Sequence, residues 1–417
     1  MPGSLRRTIV AWVLYDFANS AFAAIVLATI YPAYYANLVV GNAEGRGDFW
    51  WGLAVSTSMV LVALTSPLFG GIADHAGVRK RFLVWLSLAS VVATALLATV
   101  GPGDVGAGFV LAVAGMVTFE AAFVYYNSYL PRIASPQTLG RVSAAGFAVG
   151  YAGSLVAFLA AYPFAAAKAY GGCFLVAAAQ FALFAIPAFV VLPPDTRQAV
   201  PLGTALARGA RETLATLREI LHDRPRLEMR RFLTAYLIYE DGVNTVVAFA
   251  GVFAATTLGF SFEEIIGLFM LVQISALIGS TAWARATDRL GPRLVVRVTL
   301  LQWTLVTVLA YFVHVKWQFW VVAVLAGTGL GAVQAASRTF MATLIPVGRE
   351  AEFFGFYSLV GKTGAVMGPL VFGGVSWLLA GNQRAAIVAV GLFFVVGLAL
   401  LGRVRAGGPT AGVAVPG

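Results

Sequence analysis

Long apolar stretches recur along the whole chain and are separated by short polar connections. The first, WVLYDFANSAFAAIVLATIYPAYYA, covers residues 12–36. Because a helix needs about 20 mostly apolar residues to cross a bilayer, each stretch predicts a membrane-spanning helix. The twelve predicted helices cover residues 8–38, 49–73, 81–101, 106–130, 142–167, 171–192, 231–257, 262–284, 293–314, 317–343, 353–380 and 384–402. The chain is therefore predicted to be an all-α polytopic membrane protein.

Composition supports this class and excludes an ordinary soluble enzyme. Hydrophobic residues make up 60% of the 417 residues and charged residues only 11%, whereas soluble domains carry about 25% charged residues. The single cysteine, Cys173, excludes an internal disulfide. It lies in an apolar stretch and is interpreted as a small packing residue.

A long polar connection, residues 193–230, divides the chain into two halves of six helices. We expect an N-terminal bundle over 1–192, this linker, a C-terminal bundle over 231–406 and a disordered tail over 407–417. The linker's apolar residues recur at helical spacing: Leu202, Leu206, Ala210, Leu214, Leu217 and Leu221. Arginines occupy the other face, which predicts an amphipathic helix lying on the inner membrane surface. A solvated linker helix would give the same pattern.

The basic residues indicate how the chain is oriented. The net charge is +10, and most arginines fall in alternate short connections and in the linker. Basic residues concentrate on the cytoplasmic side of membrane proteins, so we predict a bacterial cell-membrane protein with both termini cytoplasmic. The charge is thereby explained without a nucleic-acid partner. The N-terminal run is too long, and too polar at Asp16, for a signal peptide.

The two halves repeat short motifs in the same order. Asp74 and Gly77 follow the second helix as Asp288 and Gly291 follow the eighth, and DFAN at 16–19 matches DGVN at 241–244. Such a duplication predicts two pseudo-symmetric six-helix bundles and favours a transporter with its site near the membrane midplane.

The connection after the second helix, GGIADHAGVRKR, resembles the signature of the major facilitator superfamily. The matching positions are Gly70, Asp74, Gly77, Arg79 and Lys80. Val78 displaces the first basic residue by one position. The resemblance implies a major facilitator fold of twelve helices with alternating access, in which this connection stabilises the outward-open state. Asp74, Arg79, Lys80, Asp288 and Arg289 are accordingly candidate gate residues, as is Arg338 near the inner end of the tenth helix.

Further motifs narrow the resemblance. They are YDFANSAFA, YYNSYLPRIA, GRVSAAGFAVGYAGS, and the long run from GAVQAASRTF to GPLVFG. These are similar to the group that includes the autophagy-related vacuolar amino-acid effluxers and their bacterial members. The resemblance covers nearly the full chain, and it implies a small-solute carrier with amino-acid efflux as the activity of the fungal branch.

Polar residues within the predicted helices are candidates for the transport site, because charges are costly within a membrane. In the implied architecture the first, fourth, seventh and tenth helices line the cavity. Asp16 and Asn19 lie one turn apart and share a face, as do Asp241 and Asn244. We expect the two pairs to face each other and to bind a substrate amine or a coupling cation. The alternative is structural, such as an Asp that holds a helix end.

Four more residues complete the candidate site. Glu120, with Asn127 two turns further along the fourth helix, suits a proton carrier or a neutral hydrogen-bonded role. Gln334 lies deeper than Arg338 on one face of the tenth helix and is a candidate substrate contact. Lys362 is a candidate for holding a substrate carboxylate or for pairing with an acid.

The residues also exclude other classes of function. The three histidines are scattered, and the sequence lacks a metal-ligand spacing or a phosphate-binding loop, so we expect no enzyme, no cofactor and no metal. Rings of carboxylates typical of channels are missing. We therefore predict a secondary active transporter of a small solute, an amino acid, driven by a proton or other gradient and monomeric. A carrier of a sugar, peptide or drug-like compound, working as uniporter or antiporter, is the alternative.

Overall fold

Helices make up the regular structure throughout the described part of the chain. A computed structural model describes residues 3–41, 46–76, 78–195, 214–364, 367–379 and 382–404. The N-terminal half contains α1 (Gly3–Phe22), α2 (Ile30–Tyr34), α3 (Arg46–Ala76), α4 (Arg79–Leu96), α5 (Val105–Ser128), α6 (Leu130–Ile133), α7 (Leu139–Ala166) and α8 (Tyr170–Val191). Residues 214–222 form α9. The C-terminal half contains α10 (Leu227–Leu258), α11 (Phe262–Leu290), α12 (Pro292–Phe312), α13 (Lys316–Leu344), α14 (Glu350–Thr363), α15 (Met367–Leu378) and α16 (Gln383–Gly402).

These helices confirm the all-α membrane fold predicted from the apolar stretches. Ten helical stretches among the described residues are long and apolar enough to cross a membrane. The helices α3 and α10 occupy the places of the second and seventh predicted spans. In the eleventh predicted span α14 ends at Thr363 with a break at the turn residue Gly364, residues 365–366 lie outside the described part of the chain, and α15 begins at Met367.

The first span is also irregular. After α1 the backbone widens into π-helical turns over Ala23–Ala28, is interrupted at Thr29, and widens again over Tyr35–Val40. The hydroxyl of Tyr31 donates to the carbonyl of Gly108 at 2.8 Å, and that of Tyr35 donates to the carbonyl of Val105 at 2.8 Å. These phenols join the irregular part of the span to α5.

The chain divides into two compact units that differ from the two sequence halves. Unit 1 comprises Met1–Tyr129, Ala145–Thr213 and Gly348–Leu359. Unit 2 comprises Leu130–Ala144, Leu214–Val347 and Val360–Gly417. The start of α7 thus belongs to unit 2, and most of α14 belongs to unit 1. Each unit contains a short helical segment from the other half of the sequence.

Small residues allow close helix packing within each unit. In unit 1, a Cβ added at Gly153 would lie 2.4 Å from the Ser20 hydroxyl, so α7 packs tightly on α1. In unit 2, a Cβ at Gly331 would lie 1.9 Å from the carbonyl oxygen of Ala276, so only glycine fits there between α13 and α11. Close contact through small residues is typical of helices packed in membranes.

Only the end of the predicted linker helix lies among the described residues. Leu202, Leu206, Ala210 and the tail over 407–417 lie outside them. In α9, Leu214, Leu217 and Leu221 are 61%, 37% and 48% exposed, whereas Thr216 and Ile220 are buried. The leucine face of this helix is therefore turned away from unit 2.

Candidate functional site

In unit 1, the carboxylate of Asp16 lies in a buried aromatic cluster on α1 and α5. Asp16 is 5% exposed. The hydroxyl of Tyr126 donates to Asp16 Oδ2 at 2.7 Å. The Tyr126 ring stacks on Trp12 with centroids 4.4 Å apart, and Trp12 Nε1 donates to the Tyr126 carbonyl at 2.9 Å. The cluster fixes the carboxylate in the interior, away from lipid.

Asn19, one turn further along α1, is also buried, at 5% exposure. Its amide nitrogen Nδ2 is enclosed without a hydrogen-bond partner in the described structure. Burying a donor in this way is costly. The amide is therefore a donor that a bound solute would satisfy.

The two candidates predicted on the fourth helix are buried on α5. Glu120 is 4% exposed and Asn127 is 5% exposed. Both make polar or electrostatic interactions within the protein. Their burial agrees with the expected interior position.

In unit 2, Asp241 holds the start of α15. Its carboxylate oxygens accept from the backbone nitrogen of Gly368 at 3.0 and 2.9 Å. Gly368 is the second residue of α15, whose first amide groups lack partners within the helix. Asp241 therefore stabilises the helix that follows the break in the eleventh span. Asn244, one turn along α10, is only partly buried.

Glu240, the neighbour of Asp241, has a different environment. Gln334 Nε2 on α13 donates to Glu240 Oε1 at 2.8 Å. The other oxygen, Oε2, is buried without a hydrogen-bond partner among the described residues. Lys362, in the last turn of α14, acts on this carboxylate electrostatically. The structure thus brings Gln334 and Lys362 together around Glu240, a residue outside the predicted site.

A signal for Glu240 was present in the sequence. Glu240 and Asp241 are adjacent acids within one apolar span, and consecutive residues point about 100° apart on a helix. One of the two can therefore face a neighbouring helix end while the other faces a different helix. The repeated DFAN and DGVN motifs drew the prediction to Asp241 instead.

Among the gate candidates, Arg79 forms a buried ion pair. Arg79 Nη2 lies 3.1 Å from Glu350 Oε2, and both side chains are 5% exposed. Both residues belong to unit 1. Lys80 instead donates through Nζ to the carbonyls of Val190 and Leu192 at the end of α8. The side chain of Asp74 lies outside the described part of α3.

Asp288, in unit 2, is the counterpart of Asp74 in the sequence repeat. It accepts from the backbone nitrogens of Gly140 and Arg141 at 2.7 and 3.2 Å, at the start of α7. Its Oδ2 also lies 2.5 Å from Arg141 Nε, although the Arg141 side chain is 53% exposed. Arg289 is exposed. Asp288 therefore joins the end of α11 to a segment from the N-terminal half of the sequence.

Arg338 is buried in unit 2 at 1% exposure. Its Nε donates to Ser143 Oγ at 3.0 Å, and its Nη2 donates to the Ser143 carbonyl at 2.5 Å. Ser143 Oγ donates in turn to the Ala335 carbonyl at 2.9 Å. Arg338 thus holds α7 against α13, close to the Asp288 contact with the start of α7.

The fold of the chain is that of the major facilitator class. The human organic anion transporter MFSD10 (TETRAN) is similar over 96% of this chain and 100% of its own, with a TM-score of 0.74 and 17% identity. The proton:xylose symporter XylE is similar over 96% of this chain and 94% of its own, with a TM-score of 0.72 and 11% identity. At these identities the likeness concerns the fold.

Within that class the sequence is more specific. The family described as "Vacuole effluxer Atg22 like" matches residues 52–407, and the chain belongs to this family. The uncharacterized MFS-type transporter YxiO of Bacillus subtilis is 28% identical over 94% of this chain and 93% of its own length. Autophagy-related protein 22 of Yarrowia lipolytica is 24% identical over 76% of this chain and 69% of its own length. The predicted resemblance is thereby confirmed, and the chain is a multi-pass membrane transporter rather than an enzyme.

Proposed function

We propose that this protein is a secondary active transporter that moves an amino acid across the bacterial cytoplasmic membrane, with both termini in the cytoplasm. The description of its family names a vacuole effluxer, which favours export as the direction of transport. The asymmetric distribution of arginines between alternate connections supports the orientation. Alternating access would expose the site to each side of the membrane in turn.

The observation that carries the proposal is the incompletely satisfied polar face of α1. Asp16 offers an acceptor fixed by Tyr126, and Asn19 offers a buried donor that has no hydrogen-bond partner in the part of the chain that the structure describes. A span that packs only for stability would be expected to satisfy or omit such groups. An acceptor beside a donor complements the polar groups of a small solute.

A proton gradient is the proposed energy source. The sequence lacks a nucleotide-binding loop, and Glu120 is a carboxyl group buried within a membrane span. A buried carboxyl group can bind and release a proton when its environment changes. Glu120 is therefore the proposed coupling residue of unit 1.

The ion pairs at the ends of the spans are proposed as gates. Arg79 pairs with Glu350, and Asp288 pairs with Arg141. Each pair joins residues that are distant in sequence and lie in different sequence halves. A change of access must break or rearrange these contacts, together with that of Arg338.

The proposal is tested by uptake into proteoliposomes. Wild type and Asp16→Asn are reconstituted and assayed with a labelled amino-acid panel, with and without an imposed proton gradient. We expect gradient-driven uptake of at least one amino acid by the wild type, because the carrier is reversible in vesicles. Asp16→Asn keeps the shape of the side chain but removes its charge, and this variant should lose most of the gradient-driven uptake.

Two outcomes would contradict the proposal. Uptake that is unchanged in Asp16→Asn would remove the α1 site from the mechanism. If folded wild-type protein moves no amino acid under either condition, the alternative function, a carrier of a sugar, peptide or drug-like compound, is favoured. A parallel assay with Glu264→Gln, a change at an exposed carboxylate paired with Lys316, controls for the loss of a negative charge.

A further inference from the structure

Glu240 has a buried carboxylate, and one of its two oxygens has no hydrogen-bond partner among the described residues. The residue is 6% exposed. Its Oε1 accepts from Gln334 at 2.8 Å, whereas Oε2 is enclosed without a partner in the described structure. A buried acceptor that lacks a donor is costly. The arrangement therefore favours a ligand that brings a donor to Oε2.

The neighbouring cation determines which ligand fits. Lys362 lies on the last turn of α14, directly before the break in the eleventh span, and acts on Glu240 electrostatically. Glu240 and Lys362 carry opposite charges. A ligand with only one charged group would be attracted by one of these two side chains and repelled by the other, whereas a zwitterion can pair with both.

Asp241, although adjacent, already makes another contact. Both of its oxygens accept from the backbone nitrogen of Gly368 at the start of α15. A ligand bound through Asp241 would compete with that contact. The two neighbouring acids therefore have separate roles, one toward the backbone and one toward a ligand.

We propose that Glu240 and Lys362 form a binding pair for the two charged ends of a zwitterion. Glu240 Oε2 accepts a hydrogen bond from the ligand's ammonium group, and Lys362 Nζ donates to its carboxylate. Gln334 positions the Glu240 carboxylate through Oε1. The inference rests on the proposed transport function and adds to it the residues that select a molecule with both charges and no net charge.

The test compares ligands that carry both charged ends with ligands that carry one. The probes are alanine, ethylamine and propionate, and leucine, isoamylamine and isocaproate. Their affinities for purified protein are measured by thermal stabilisation and calorimetry, for wild type, Glu240→Gln and Lys362→Gln. Glu264→Gln, at an exposed carboxylate paired with Lys316, is the matched control.

The expected result is a change of specificity rather than a uniform loss. Wild type and Glu264→Gln should bind an amino acid more tightly than its amine or its acid. Glu240→Gln should weaken amino-acid binding by about 10-fold to 100-fold and shift the preference toward the acid. Lys362→Gln should shift the preference toward the amine.

Several results would overturn the inference. If wild type transports and binds an amino acid but both variants keep its affinity, the pair does not bind the zwitterion and the transport function stands. If Glu240→Gln binds normally and loses only gradient-driven accumulation, Glu240 is a proton site. If wild type neither binds nor transports any amino acid, the proposed function fails together with the inference.

A folding defect is separated from a binding defect by a second variant. Glu240→Asp keeps the charge and shortens the side chain. It should retain the preference for the amino acid over the amine and the acid, with lower affinity. Size-exclusion profiles and unfolding temperatures of all variants identify any protein that has not folded. A Glu240→Asp protein that is folded but has lost the preference would contradict the role of the charge.

Discussion

Two adjacent acids in α10 show how much the role of a residue depends on its surroundings. Glu240 and Asp241 have the same charge and lie in the same span. Asp241 faces the start of α15 and accepts from Gly368, whereas Glu240 faces Gln334. The sequence predicts that acids in this span lie in the interior. Which of the two can bind a ligand depends on where α15 begins, because Asp241 contacts the start of that helix.

Replacing Asp241 should therefore destabilise the protein. Asp241→Ala removes the acceptor at the start of α15, and losing such a cap costs about 1 kcal/mol, within a range of roughly 0.5–2 kcal/mol. Asp241→Asn keeps one acceptor oxygen and should lose less. The measurement is thermal unfolding in detergent, with the isosteric Glu240→Gln for comparison. Equal stability of Asp241→Ala and wild type would show that the cap is dispensable.

At the residue scale the burial of several candidates could be anticipated from the sequence, whereas their roles stay predictions. Asp16, Asn19, Glu120 and Asn127 are all buried, as expected for polar residues in spans that face an interior. The partners of those residues could not be predicted, because Tyr126 is 110 residues from Asp16 in sequence. Hydrogen bonds between distant residues depend on helix rotation, which a single sequence does not determine.

At the scale of elements, the apolar stretches predicted the spans well because membrane burial leaves little choice of backbone. The irregularities were not predicted. The π-helical turns over Ala23–Ala28 occur in sequence that is as apolar as its surroundings. The end of α14 carries local signals, since Lys362 and Gly364 lie there and Pro369 stands in the first turn of α15, and the contact made by Asp241 adds to them.

The exposed leucines of α9 are expected to dock on the inner leaflet. Leu214, Leu217 and Leu221 share one face, and the helix leads directly into α10 with Arg224 and Arg226 between them. In nanodiscs that contain anionic lipid, a polarity-sensitive fluorophore on Leu217→Cys, placed in a Cys173→Ala background, should shift to shorter wavelength. The same label on Ala215→Cys, which is exposed and about 160° round the helix from Leu217, should report water.

Two results would contradict this expectation. Identical spectra at the two positions would indicate that α9 is fully solvated. A shift at Leu217→Cys that is equal in neutral and anionic nanodiscs would show that the leucines insert without help from the basic residues. Because the chain has a single natural cysteine, both labels can be placed specifically.

At the scale of the whole molecule, the sequence predicted two repeated halves, whereas the compact units exchange short segments. Residues 130–144 belong to unit 2 and residues 348–359 belong to unit 1. Both segments lie near the starts of the fifth and eleventh predicted spans, so the exchange follows the internal repeat. Hydrophobic patterning locates spans but contains no information on which bundle a span end joins.

The buried pair in unit 1 should make a large contribution to stability. Removing one partner of a buried ion pair costs about 3–5 kcal/mol, so Arg79→Ala or Glu350→Ala should each lower the unfolding temperature clearly. The double variant should lower the free energy of unfolding by less than the sum of the two single variants. Unfolding in a double-mutant cycle measures the coupling. Additive effects would show that the two side chains do not stabilise each other.

The pair in unit 2, in which the arginine is exposed and the aspartate is buried, provides the comparison. Arg141 is half exposed, and exposed pairs contribute about 0–1 kcal/mol. Arg141→Ala should therefore change stability little in the same assay. A loss as large as that of Arg79→Ala would show that the solvent accessibility of the pair does not control its contribution.

The wide turns of the first span have a consequence for the length of related chains. A π-helical turn closes its hydrogen bonds over one residue more than an α-helical turn. The stretch Ala23–Ala28 therefore contains an extra residue between α1, which carries Asp16 and Asn19, and the segment whose tyrosines contact α5. A relative lacking one residue there could close the turn to ordinary geometry. Asp16 and Asn19 would keep their orientation, and the Tyr31 and Tyr35 phenols would still reach α5. Single-residue insertions and deletions should thus be tolerated within this stretch and excluded within α1.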